Sequence, residues 1–207
     1  MKILISGFEK FDGHLINPTE ELMKRLKSPS KDIELKTVVL PVSFKQAFEK
    51  LEREINSFKP DVIIGTGLAA SRKEITFERI AVNLIEARIP DNDGHQPIDE
   101  KIDPQSEDGV FTQLPLKSML KATLDKGFKA SISNTAGTYV CNYLMYKIVS
   151  YCKQNHLKGG FIHVPPVYEM NSDSRYIKID QLVEAFIQIL LALKYPEDVS
   201  INTGLED

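Results

Sequence analysis

The sequence predicts an α/β fold: a single-domain three-layer sandwich with a mostly parallel twisted sheet and helices on both faces. Short apolar, β-branched runs alternate with amphipathic stretches, which is the pattern of successive βαβ units. The 207 residues suffice for one sizeable core, and neither an internal repeat nor a Gly/Ser linker divides them. Residues 1–194 are read as the domain, and 195–207 as a polar, loose C-terminal tail.

"KILIS" (2–6) predicts a buried first strand, and "NPTEELMKRL" (17–26) a helix with Asn17 as N-cap and Pro18 in the first helical position. "ELKTVVLPV" (34–42) is a strand closed by Pro41. Over 43–59 a helix is expected, with Phe44, Ala47, Phe48, Leu51 and Ile55 on one apolar face. "PDVIIGTGL" (60–68) is a strand running into a glycine-bearing turn. The stretch 74–94 alternates like an exposed strand and ends in the turn cluster Pro-Asp-Asn-Asp-Gly. Residues 95–114 are polar and rich in Pro and Asp, as expected of a surface excursion or flap. The rest predicts a helix over 115–127, a strand over 129–134, a helix over 138–155, a strand over 159–165 and a last helix over 179–194. In such a sheet, ligands bind at the carboxyl ends of the strands.

Composition excludes several classes of function. A net charge of −3 with scattered Lys and Arg builds no basic stripe for nucleic acid. No apolar run approaches the ~20 residues of a membrane span, and the run in "MKILISGF" is too short for a signal peptide. Cytoplasmic residence is therefore expected. Cys141 and Cys152 are eleven residues apart, which on one helix is ~16 Å of rise, too far for a disulfide. Their spacing fits no zinc motif, so reduced thiols are expected.

Three residues have the chemistry of acyl transfer. Cys141 lies about one turn into a helix that follows a strand and the loop "NTAG". The free N–H groups there favour a thiolate and an oxyanion. Cys141 also shares helical spacing with Leu144, Met145, Ile148 and Cys152, so a packing role is equally open. His163 ends the strand "GGFIHVP", where an imidazole can take a thiol proton and return it to a leaving amine, or simply bond to backbone. Glu78, if its strand is continuous, shares a face with Ile80, Val82 and Leu84. A carboxylate so placed needs a partner, either an imidazole that it orients or an arginine such as Arg79 or Arg88. His14, His95 and His156 stand in polar contexts and read as surface residues. The loops "GFEKFDG" and "GTGLAASR" lack any phosphate-binding glycine pattern. Phe8 and Phe11 suit a small apolar pocket instead.

"ILISGFEKFDGHLINPT", "LPVSF", "GTGLAASRKEITFERIAVNLIEARIPDNDG", "SNTAGTYVCNY" and "GGFIHVP" together, in this order, resemble the pyroglutamyl peptidase I family. The resemblance implies a phosphorylase/hydrolase-like α/β fold and a metal-free, cofactor-free cysteine peptidase. Its triad would be Cys141, His163 and Glu78. Phe8 and Phe11 would sandwich the lactam ring, Arg88 would stand near the oxyanion, and Asn17 would give polar support. N-terminally pyroglutamylated peptides would be the partners, and a homotetramer the assembly. Lys10 and Asp12 stand where the family's "GF-x-PFGG" loop has Pro and Gly. The rival expectations are a non-catalytic peptide-binding homologue and a nucleoside phosphorylase-like enzyme.

Overall fold

The structure, a computed structural model, describes residues 1–11, 13, 15–195 and 198–204. Asp12, noted above as a departure from the family's loop pattern, and His14, expected at the surface, lie outside the described residues, as does part of the tail. The central sheet runs β2-β1-β3-β8-β4-β7, formed by β1 (Lys2–Phe8), β2 (Glu34–Leu40), β3 (Val62–Leu68), β4 (Ile75–Glu78), β7 (Ala130–Ser133) and β8 (Lys158–Val164). On one face pack α1 (Pro18–Arg25), α3 (Leu116–Leu124) and α6 (Ile179–Ala192), through side chains such as Leu22, Met119 and Phe186. The opposite face is covered by α2 (Gln46–Phe58) and α4 (Val140–Asn155), through Leu51, Ile55, Leu144 and Ile148. A second small sheet pairs β5 (Ile80–Val82) with β6 (Gly109–Phe111), and a short α5 spans Tyr168–Asn171. The three-layer α/β architecture predicted from periodicity is the one observed.

Asn17 caps α1 as expected, its side-chain oxygen accepting from the Thr19 N–H at 3.0 Å, with Pro18 beside it. Glu20 and Glu21 in the first turn and Lys24 and Arg25 in the last suit the helix dipole. The main departure lies around Glu78. The segment read as one exposed strand is two short strands in different sheets, and β4 is buried throughout. Arg79 makes the break: its N–H donates to the Ser133 carbonyl, while its own carbonyl accepts from Thr112. β4 also runs antiparallel to β8. The connection between β3 and β4, residues 69–74, is six residues long. A parallel return needs a crossover of about a dozen or more, so the chain reverses and leaves one strand position, which β8 fills.

The 95–114 segment is less free than its composition suggests. β6 lies within it, and the Asn83 side chain holds its middle by donating to the Asp103 carbonyl at 2.7 Å and accepting from the Asp103 N–H at 2.9 Å. The described part of the tail docks as well. Asp198 accepts from the Lys117 and Ser118 N–H groups at the start of α3, and Ile201 packs on the core. Polarity made this tail look loose because a capping aspartate and a solvated one read alike.

Candidate active site

β3 and β8 lie side by side with Gly67 opposite His163, and β4 flanks β8 with Thr76 opposite His163 and Glu78 opposite Phe161. Opposed residues share a face, so Gly67, Thr76, Glu78, Phe161 and His163 all point towards α4. Glu78 is diagonal to His163, within reach of a long side chain. Its Oε1 lies 2.8 Å from His163 Nδ1, and both groups are buried. The imidazole packs against the Phe161 ring at 5.0 Å between centroids.

A carboxylate only accepts, so Nδ1 carries the ring proton and Nε2 is left as the basic nitrogen. Burial pushes the Glu78 carboxyl up, but the hydrogen bond and charge of His163, a hydrogen bond from Ser133 and the charge of Arg72 outweigh it and hold it below its usual value. Burial also lowers His163, more than Glu78 raises it. The resting pair is therefore a carboxylate and a neutral imidazole. Arg72 is the ion partner of Glu78 that the sequence did not identify. Neither expected arginine takes that place: Arg79 donates towards Thr203 at 3.4 Å, and Arg88 is exposed.

Cys141 is the second residue of α4 and only partly buried. Among the described residues, no side chain caps that helix start, and N–H groups of a first helical turn suit an anionic ligand. The expectation of a depressed thiol pKa is not met. Burial, followed by the Glu78 charge, pushes the thiol up to about 12, against the opposing pull of Arg72. Desolvation is the largest influence on the group, so the thiol rests protonated and needs a base.

Gly67 makes the space for that thiol. A Cβ on Gly67 would lie 2.7 Å from Cys141 Sγ and 3.1 Å from the nearest Phe161 ring carbon. The sulfur thus sits over the strand residue paired with His163. Gly67→Ala should fold, because the thiol can retreat by rotation, but should lower kcat by roughly 100-fold through misplacement of the sulfur. Steady-state kinetics with thermal melting as control will check this, and wild-type kcat would refute the spacer role.

Beside Cys141 opens a cavity of about 200 Å³ lined by Phe8, Phe11, Val42, Leu68 and Tyr139 among others, with Asn17 also in its wall. Among the described residues, none of its lining side chains is charged. Phe11 packs on Tyr139 with ring centroids 6.0 Å apart, and the Tyr139 hydroxyl donates to the Pro90 carbonyl at 3.1 Å. Asn17 spends its amide on the fold, capping α1 and donating to the Glu9 carbonyl at 2.8 Å. It therefore shapes the first loop. Arg88 is not among the lining residues, although Ile89 is. Tyr139, Gly67 and Arg72 were missed in the sequence, although Gly67 and Arg72 lie in "GTGLAASR", a segment weighed there for phosphate binding. Among the described residues, no group of three or more His, Cys, Asp or Glu side chains is placed to hold a metal ion. No helix among them is long and apolar enough to cross a membrane.

Residues 1–189 match the family description "Pyroglutamyl peptidase". The pyrrolidone-carboxylate peptidase of Bacillus subtilis is 40% identical over 209 residues, covering 98% of this chain and 97% of its own. That of Brachyspira hyodysenteriae is 44% identical over 94% of this chain and all of its own length. Among solved structures, the pyrrolidone carboxyl peptidase of Thermococcus litoralis superposes with a TM-score of 0.91 at 38% identity, covering 97% of this chain and 99% of that one. Pyroglutamyl peptidase I of Bacillus amyloliquefaciens does so with a TM-score of 0.91 at 34% identity and the same coverage.

Proposed function

The chain belongs to the pyroglutamyl peptidase family, and from that premise we propose that Cys141 is its nucleophile, His163 its base and Glu78 the group that orients the base. It is a cysteine-type peptidase that releases pyroglutamate from the N-terminus of peptides. The observation that carries the assignment of residues is the bond from His163 Nδ1 to buried Glu78 at 2.8 Å, with the Cys141 sulfur above Gly67, the strand partner of His163.

The reaction runs through a thioester. His163 Nε2 takes the thiol proton as Sγ attacks the carbonyl carbon that joins pyroglutamate to the next residue. The carbonyl electrons move to oxygen, and the oxyanion is held by N–H groups of the first turn of α4; a supporting role for Arg88, next to Ile89 of the cavity wall, rests on the family resemblance alone. The intermediate collapses, the C–N bond breaks, and the imidazolium gives its proton to the departing amine. A water then attacks the thioester and yields a proton to His163. Pyroglutamate leaves, and the sulfur regains its proton. Glu78 stabilises the imidazolium in both halves.

The lactam ring fits between Phe8 and Phe11, with Tyr139 closing the wall. An open N-terminal glutamate would have to bury an ammonium and a carboxylate in a cavity whose described lining offers neither a charged partner. Pyroglutamyl-p-nitroanilide should therefore be hydrolysed at least roughly 100-fold faster, in kcat/KM, than glutamyl-p-nitroanilide. Equal rates would overturn the pocket assignment. We infer cytoplasmic residence, a reading that the two free thiols support. A homotetramer is proposed by family resemblance, and light scattering of the purified protein will test it.

A further inference from the structure

Arg72 lies in the turn between β3 and β4, and its side chain is mostly enclosed. One terminal nitrogen donates to Glu78 Oε1 and to the Thr76 hydroxyl. The other donates to the Thr135 carbonyl at 2.8 Å and the Ser133 hydroxyl at 3.2 Å. Thr135 belongs to the loop that leads from β7 into α4 and Cys141. A single guanidinium therefore joins the carboxylate behind the base to the chain segment that carries the nucleophile.

Glu78 depends on this contact more than its burial suggests. Its Oε2 has no hydrogen-bond partner among the described residues. The hydroxyl of Ser133 is engaged with the Thr135 carbonyl at 2.9 Å. The bonds that fix the carboxylate run to Oε1, from His163 on one side and Arg72 on the other, and the Ser133 hydroxyl nearby adds to holding it ionised.

We propose that Arg72 is a positioning residue of the catalytic machinery, locking the Glu78 carboxylate and the loop before α4 into one rigid unit so that base and nucleophile stay in register. This rests on the triad assigned above. The planar fork of arginine suits the task, since it can hold two acceptors at fixed separation, which a lysine ammonium does not. It also sets the charge balance. Among the described residues, the charged groups acting on His163 are Glu78 from β4 and Arg72 from the β3–β4 turn, and Cys141 from α4 is a further ionisable group that both of them act on. The Arg72 cation disfavours the imidazolium and favours the thiolate. Its removal should raise the pKa of both groups and carry the acid limb of kcat/KM to higher pH.

The test compares wild type with Arg72→Gln and Arg72→Lys on pyroglutamyl-p-nitroanilide across the pH range. In parallel, the rate of Cys141 alkylation by iodoacetamide is followed by mass spectrometry. Arg72→Gln should lose kcat by roughly 100-fold with KM little changed. Its acid limb and its alkylation midpoint should both move to higher pH. Arg72→Lys keeps the cation and should restore both pH profiles, while recovering only part of kcat because the fork is lost. Unmoved profiles in a folded Arg72→Gln protein would make the ion pair merely structural and overturn the proposal. If that variant does not fold, Arg72→Lys decides, and wild-type kcat in it is the overturning result. Absence of turnover by wild type would count against the peptidase reading, and the alkylation profiles would still decide the role of Arg72.

Discussion

Cys141→Ala abolishes turnover of pyroglutamyl amides: the expected fall in kcat is on the order of 10⁵–10⁶-fold, as when the nucleophile of a covalent mechanism is removed. The size follows from the chemistry. Without sulfur there is no acyl-enzyme, and what remains is binding in the cavity and N–H donors at the start of α4. Folding should be unaffected within about 1 kcal/mol, because the side chain is small and only partly buried. Cys152→Ser is the matched control. That sulfur is buried in the core against Gly159, on the same helix but remote from the pocket lining. Its variant should melt earlier and still turn over at the wild-type rate. Chromophore release from pyroglutamyl-p-nitroanilide, with circular dichroism for folding, reads both. Appreciable turnover by a Cys141→Ala preparation free of wild type would sink the nucleophile assignment.

The second large effect belongs to Glu78→Gln, which should lower kcat by on the order of 10³–10⁴-fold. An amide of the same shape can still accept from His163 Nδ1, but it no longer stabilises the imidazolium. Turned the other way, it donates to Nδ1 and forces the proton onto Nε2, where it blocks uptake from the thiol. Stability should fall too, because Arg72 loses its counter-charge. The cost stays below the ~3–5 kcal/mol of a fully buried broken pair, since the Arg72 side chain keeps 24% exposure. The sign of the pH dependence is set by Glu78 having a folded pKa below its ordinary 4.5. Its stabilisation is present above about pH 4.5 and is lost as the pH falls through the folded value. The gap in urea midpoint between wild type and variant should thus be widest near neutrality and close in acid. A constant gap, or wild-type kcat, would remove Glu78 from the triad.

Much of this was legible in the sequence because it depends on local pattern. Alternating β-branched runs and amphipathic faces specify a βαβ protein wherever the chain is placed, and the cap at Asn17 is a matter of neighbouring residues. Cys141 at a helix start and His163 at a strand end were marked by the same local signals. The resemblance of five ordered segments joined them to Glu78. Three things could be decided only in three dimensions. The direction of β4 follows from a six-residue turn that leaves room for a strand more than eighty residues later in the chain. That placement brings Glu78 diagonally to His163 instead of onto an exposed ribbon. The partner of Glu78 is Arg72 and not Arg79 or Arg88, because the strand break at Arg79 sends that side chain towards the tail and leaves the turn arginine over the carboxylate. The thiol is held protonated although it sits at a helix start, because desolvation depends on everything packed around a group. Periodicity and caps are properties of neighbours along the chain, whereas ion partners, strand direction and burial are set by residues that only folding brings together.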